Sequence, residues 1–320
     1  AKGPAEAPAG FHHRAKPRQN TPRAADHVSS PVGHVRRVPQ CPLIIRHSVV
    51  ERPAPRGVSS RRLAAAAVIL TLVAGLASER ASLTPSRGEL AHYRETRYGR
   101  ITVVTQQELV TLFLDGVPML NSQDEAAAEQ AVHYALAQLE EPQRVLLVSA
   151  AAGVVEELEK YQLAAIDYVE RDPDLTEVLF RFNLLKRISP LRVIHADGRA
   201  FLAEAAPGYD AILVNINDPQ TYQANRFFTD RFFSLARSRL SEQGVLGFSM
   251  EGFDSYLAEP QRRKLSSIYH TAKAYFSDVL MLPGEKVFFI CGNRPLQADV
   301  PDLLRRKGIA TLYISAYDEG

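Results

Sequence analysis

Three short apolar stretches in this chain are each followed within a few residues by a polar side chain able to hold a ligand. Glu170 follows Ala165–Val169, Asp197-Gly198 follows Arg192–His195, and Asn215-Ile216-Asn217-Asp218-Pro219 follows Ala211–Val214. If those stretches are parallel strands, all these groups stand at strand carboxyl ends, where open α/β sheets bind ligands. A carboxylate after a second strand can accept from both hydroxyls of a ribose, and one after a third is in reach of an adenine amino group. Taken singly, Glu170 is also readable as an exposed loop acid; the pair with Asp197 is more telling. A fourth such loop, Ser149-Ala150-Ala151-Ala152-Gly153, follows Val145–Val148. A nucleotide-binding version of this layout wants glycines there, because Ala150, Ala151 and Val154 bring Cβ atoms where a ligand would approach the backbone. The helix that opens at Gly153 could still receive a negative group through its free amides.

The elements that must position these groups follow from periodicity. Strands are expected over Val145–Val148, Ala165–Val169, Arg192–His195, Ala211–Val214 and Val245–Ser249, with helices near 153–161, 174–183, 198–205 and 229–239. Short apolar strands alternating with helices indicate a parallel sheet covered on both faces. A last helix, about 259–276, precedes Val279–Leu282 and Val287–Ile290, a hairpin at the antiparallel edge. Upstream, Gly99–Thr105 and Leu109–Asp115 are β-branched, roughly alternating and read as a hairpin. Ser122 and Glu125 have the spacing of a capping box ahead of a helix with one apolar face, Ala128 to Leu139, ended by Pro142.

Composition narrows the function. Residues 1–62 hold 12 Lys/Arg against 3 Asp/Glu, a net of +9 in a chain of net +2, so the remainder carries −7. An acidic body argues against a nucleic-acid partner; it suits a cationic ligand and is also an ordinary surface charge. The tail lacks apolar periodicity and is expected to be disordered. Arg61-Arg62 then leads into an apolar run of 15 residues, Leu63 to Ala77. That is short of the roughly 20 residues of a spanning helix, and it fits an export signal or the last helix of a membrane bundle as well. Cys41 and Cys291 support neither a disulfide framework nor a zinc site, and the nine histidines give no metal site. His133, on the capped helix, reads as a core position. Tyr222, Phe227, Phe228, Phe232 and Phe233 are expected to pack the loop and its following helix against the sheet.

From Tyr98 to Cys291 the chain resembles the spermidine/spermine synthases, the aminopropyltransferases. The likeness rests on the order of Leu114-Asp115-Gly116, Asp124-Glu125, Val169-Glu170-Arg171-Asp172-Pro173, Asp197-Gly198, Tyr209-Asp210, Asp218-Pro219, Phe228-Thr229 and Gly244-Val245-Leu246. Asn215 to Thr229 is similar to the membrane-fused branch, in which a hydrophobic bundle precedes the domain. The resemblance implies an α/β fold with a Rossmann-like, class I methyltransferase-type sheet, mostly parallel, preceded by a small β-hairpin domain. The organisation expected is a disordered basic tail (1–62), a short hydrophobic helix (63–78), the small β-domain (90–121), the Rossmann-like domain (122–295) and a C-terminal extension (296–320).

The resemblance further implies aminopropyl transfer from decarboxylated S-adenosylmethionine, or a related nucleoside, to a polyamine or another small amine, without a metal. Gly153, Glu170, Asp197 and Gly198 would bind the nucleoside, Tyr98, Asp124 and Tyr222 the substrate, and Asp218 would serve catalysis. Departures are equally specific. The family's three glycines and donor-binding aspartate fall on Ser149, Ala150, Ala151 and Ala152, and its first aspartate after the fourth strand falls on Asn215. Gly99 stands where a glutamine is expected beside Tyr98, and Met119 replaces another. An amide cannot take the proton of an attacking amine, so activity is expected to be weak or lost. A non-catalytic, membrane-associated relative that senses a nucleoside or polyamine stays open, as do an S-adenosylmethionine-dependent methyltransferase, a cytoplasmic location and a homodimer.

Overall fold

The computed structural model describes residues 60–83, 88–149, 152–216, 218–253 and 256–314. The chain divides into units 1–60 and 61–320, and apart from Ser60 the described residues belong to the second. The expected disordered tail therefore lies outside the described residues up to position 59, as do Cys41, Ala150, Ala151 and Asn217.

Helix α1, Ser60–Leu83, contains the apolar run. Its described side chains are exposed, Leu63, Val68, Ile69, Leu70, Leu72 and Val73 among them. Fifteen apolar residues cover only about 22 Å of helix against a hydrocarbon layer of about 30 Å. Among the described residues no helix is long and apolar enough to cross a membrane, so the spanning reading gains no support.

The expected hairpin is the middle of a larger unit. Strands β1 (Glu89–Thr96), β2 (Gly99–Gln106), β3 (Leu109–Leu114) and β4 (Val117–Asn121) form an antiparallel sheet in chain order. The outer two escaped the sequence reading because β1 carries His92, Arg94 and Glu95 among its apolar residues, and β4 contains Pro118. Helix α2, Glu125–Leu136, follows, and its cap corrects the sequence: Asp124, not Ser122, accepts the Ala127 amide. The Ser122 hydroxyl instead accepts from the Val110 amide at 3.0 Å, tying β4 back to β3.

The main sheet alternates as expected. In chain order come β5 (Arg144–Val148), α3 (Val154–Glu159), β6 (Ala165–Glu170), α4 (Pro173–Arg181), β7 (Leu191–His195), α5 (Gly198–Glu204) and β8 (Tyr209–Val214). Then follow α6 (Tyr222–Asn225), α7 (Asp230–Arg239), β9 (Leu240–Glu251), α8 (Glu259–Lys273), β10 (Asp278–Leu282), β11 (Lys286–Gly292) and α9 (Val300–Lys307). Strand order is β10-β11-β9-β8-β5-β6-β7, with β5 to β9 parallel and β11 and β10 antiparallel at one edge.

Two cores lie on the two faces. Val145 and Leu147 of β5 join Ala211 and Leu213 of β8 under α2, α3 and α4, while Leu146, Val148, Ile212 and Val214 face Phe232, Phe233 and Leu265 of α7 and α8. That is the period of two expected of a strand buried on both faces. At about 1.5–3 kcal/mol for each fully buried aliphatic or aromatic side chain, these runs hold the strand ends in fixed relative positions. His133 occupies a core position as expected, its Nδ1 2.7 Å from the Tyr161 hydroxyl and its Nε2 2.7 Å from Glu157.

Candidate functional site

Val148 ends β5 at the centre of the sheet, and the site assembles around it. Its ladder continues past the strand ends: the Ser149 amide donates to Val169 O at 3.0 Å and the Asn215 amide to Val148 O at 2.9 Å. Glu170 pairs in register with His195, so the ends of β6 and β7 lie side by side. The turns after β5, β6, β7 and β8 thus meet on one edge, which is where the sequence placed its candidate groups.

Glu170 is buried, with 8% of its surface exposed. Its Oε1 accepts the amides of Arg171 (2.7 Å) and Asp172 (3.1 Å), and its Oε2 accepts the Ser149 hydroxyl at 3.1 Å. Burial raises its pKa, and those amide and hydroxyl donors offset only part of the rise. No Lys or Arg neutralises it among the described contacts, so its carboxylate is oriented yet uncompensated. Two residues on, Asp172 caps α4 by accepting the Asp174 amide at 3.0 Å, with Pro173 at the first helical position.

Asp197 caps α5, its Oδ1 accepting the Ala200 amide at 3.0 Å. Its Oδ2 is held by Arg226 from the β8–α7 connection, a contact the sequence did not suggest. Gly198 lies so close beneath that an added Cβ would come 2.5 Å from Val148 Cγ1 and 3.6 Å from the Phe227 ring. Only glycine fits there. Gly153 has φ +76°, a left-handed conformation that favours glycine, and a Cβ on it would lie 3.1 Å from Ala128 Cβ of α2. That closeness packs Ala128 of α2 beside the turn after β5; Asp124 lies one helical turn earlier. Asp124 is half-buried and engaged as a helix cap. The helix after Gly153, which the sequence offers to an anion, is α3, six residues long with Glu156 and Glu157 in its first turn, and acids there work against a second negative group.

The four-stranded sheet reaches this edge through the β1–β2 turn. The Thr96 hydroxyl donates to Asp172 Oδ2 at 2.7 Å, and Arg94 pairs with Asp174 and Glu177 of α4. Half-buried Tyr98 then lies beside Arg171, whose guanidinium stands 4.6 Å from the ring centroid. Arg171 also donates to Gln223 of α6 at 2.6 Å. Tyr98 is therefore adjacent to the Glu170 turn, whereas Tyr222 is 96% exposed and touches none of these groups. Phe227, Phe228, Phe232 and Phe233 are buried, so Tyr222 alone departs from the expected aromatic packing.

The β8 end differs in character. Asn215 Nδ2 is buried and has no hydrogen-bond partner among the described residues. Asp218 turns toward the end of β9, where its Oδ1 accepts the Glu251 amide at 2.6 Å and its Oδ2 pairs with Lys264 of α8. Lys264 lies 3.7 Å from the Glu251 carboxylate as well. Of the three acids at or just after the ends of β6, β7 and β8, Asp197 and Asp218 each carry a cation, and Glu170 carries none among the described residues. Arg226 and Lys264 were missed because a basic residue on a loop or a helix face looks solvated in sequence. An apolar cavity of about 410 Å³ lies farther along the sheet, lined by Phe253, Leu257, Leu265, Tyr269, Met281 and Val287, and contains none of these groups. Among the described residues no cluster of three His, Cys, Asp or Glu could hold a metal ion.

With this geometry established, similarity to known proteins becomes informative. Residues 125–295, more than half of the chain, match the family model of the spermine/spermidine synthase domain. A polyamine aminopropyltransferase of Oceanobacillus iheyensis is 31% identical over 167 residues, 49% of this chain and 33% of that protein. Another, from Leptospira interrogans, is 26% identical over 226 residues, 65% of this chain and 44% of its own. The chain therefore spans less than half the length of either relative. Among solved structures, a spermidine synthase in complex with the transition state analogue AdoDATO aligns with a TM-score of 0.60 at 17% identity, over 70% of this chain and 81% of that one. At that identity the likeness shows the fold.

Proposed function

This chain belongs to the spermine/spermidine synthase domain family, and on that premise we propose that it binds a decarboxylated S-adenosylmethionine-type nucleoside above β5–β7 and moves its aminopropyl group to a polyamine or another small amine. The observation that carries the reading is Glu170: a buried carboxylate oriented by two amides and a hydroxyl and left without a cation. A ribose diol is a neutral donor pair: one hydroxyl would fill the open site on Oε2 and the other would take the place of the Ser149 hydroxyl.

The residues fit the nucleoside half. Gly198 lets the start of α5 pack directly on Val148, and Tyr98 with Arg171 forms a wall at the mouth. Asp197 accepts an adenine amino group in this reading once Arg226 yields its place. The donor supplies a methylene carbon beside a sulfonium. Carbon–nitrogen bond formation there breaks the carbon–sulfur bond, leaves a neutral thioether, and places a proton on nitrogen that must be removed. Asn215 cannot take it. Asp218 is the carboxylate on that connection, and it is shared with Lys264. General acid–base catalysis contributes about 10²–10⁴-fold, so transfer is expected to be slow by a factor of that order.

The test is release of methylthioadenosine by the full chain given decarboxylated S-adenosylmethionine and putrescine. Slow, donor-saturable release supports transfer. A second reading, a nucleoside-sensing relative without catalysis, is favoured by Ala152, Asn215 and the Asp218–Lys264 pair, and it predicts nucleoside binding with no release. Absence of binding by any S-adenosyl compound overturns both.

A further inference from the structure

Independently of the nucleoside reading, we infer that the apolar cavity between α8 and the β10–β11 hairpin binds a small amphiphile with an apolar body and one anionic end. Its apolar walls are Phe253 and Leu257 from the segment after β9, Leu265 and Tyr269 of α8, and Met281 and Val287 of the hairpin. At about 410 Å³ it has the size of a small-molecule site. Arg262, Leu265, Ser266 and Tyr269 stand at i, i+3, i+4 and i+7 on α8, so one helix stripe supplies both apolar wall and polar rim. A second cavity, about 380 Å³, shares Arg262 and Ser266 with the first and is completed by Arg263 and Ser267. Apolar surface and hydrogen-bond donors therefore meet at two residues.

The rim has an excess of positive charge. Among the described residues lining the two cavities, the charged ones are Arg262 and Arg263, and none is a carboxylate. Both guanidinium groups share the single carboxylate of Glu259, Arg262 through Nε and Nη2 and Arg263 through Nε. One positive charge is left over, and so are most of the five N–H donors that each guanidinium carries. Lys264, the next residue, points away to Asp218 and Glu251. On the hairpin turn Glu285 is followed by Lys286, which adds no net charge. Arginine matches a carboxylate or phosphate with paired N–H donors, and the Ser266 and Ser267 hydroxyls can donate to the same oxygens. A polar molecule would leave the apolar wall unused, and an uncharged one would leave the rim unused.

The experiment titrates decanoate, decanol and decyltrimethylammonium into the full chain by calorimetry, below micellar concentrations. The three share a chain length and differ in the charge of the head. Decanoate is expected to bind about fivefold more tightly than decanol, and the cation most weakly. Affinity should rise about fourfold per methylene from hexanoate to octanoate. Arg262→Met keeps an apolar stem and should bring decanoate down to the level of decanol. Ser266→Phe, which puts a ring over the cavity from an exposed helix position, should weaken every ligand. Should Ser266→Phe not fold, the ranking of heads in the wild-type chain and in Arg262→Met decides. Equal binding of decanoate and decanol by the wild-type chain, preference for the cation, unchanged binding by a folded Ser266→Phe, or no binding of decanoate overturns the inference. No arm of the test uses a nucleoside, so its failure leaves the nucleoside reading untouched.

Discussion

Glu170 ends β6 and Asp218 follows β8, the two strands that flank β5, and both carboxylates are largely covered, yet they are held in opposite ways. Neutral donors hold Glu170: two amides and a hydroxyl. A full positive charge holds Asp218. Keeping a buried carboxylate without a counter-charge lowers stability, which a fold tolerates where a ligand completes the site. Pairing it removes that penalty and removes the group from ligand binding. In the proposed reading, the β6 side keeps a carboxylate open to a ligand, and the β8 side holds a structural ion pair in its place.

That contrast can be broken by mutation. The largest stability change is expected from Lys264→Met, which turns Asp218 into a second uncompensated acid; loss of a buried partner costs about 3–5 kcal/mol, reduced here to about 2 kcal/mol because Lys264 is partly exposed. Urea unfolding measures it, and an unchanged midpoint would show that the pair contributes nothing. Gly198→Ala comes next, at about 1–3 kcal/mol for overpacking against Val148.

Glu170→Gln has the opposite sign. Because burial raises the folded pKa of Glu170, the folded state holds its proton more tightly than the unfolded chain, and stability falls as pH rises between the two pKa values. At neutral pH the glutamine variant, which keeps an oxygen for the two amides, is therefore expected to melt slightly above wild type. The difference should shrink as pH falls below the folded pKa and vanish below the unfolded one; a lower melting temperature at neutral pH would contradict the uncompensated charge. The smallest effect is Thr96→Val, about 1 kcal/mol for the bond to Asp172. Its sharper readout is faster hydrogen exchange at the Tyr98 amide, which donates to the Thr96 hydroxyl at 3.0 Å.

Much of this was legible in the chain. Apolar strands such as Val145–Val148 and Ala211–Val214 are unmistakable because both faces are buried, and the turn residues after them follow by position alone. Glu170 and Gly198 could be named for that reason. What periodicity cannot show is which side chain crosses from another element. Arg226 reaching Asp197, Lys264 reaching Asp218 and Thr96 reaching Asp172 join residues 29, 46 and 76 positions apart. Buried Glu129 is a further case: it accepts the amides of Tyr313 and Ile314 and ties the C-terminal segment to α2, at a helix position that reads as solvated. Short α6 and α9 escaped as well, the first because four residues give no period.

The account stands on Glu170 as the nucleoside anchor. Calorimetric titration of methylthioadenosine into the wild-type chain, Glu170→Ala and Asn215→Asp tests it directly. Two hydrogen bonds to a charged group are together worth about 100-fold or more in affinity, so Glu170→Ala should lose measurable binding while Asn215→Asp stays close to wild type. Binding to Glu170→Ala at wild-type strength would contradict the account.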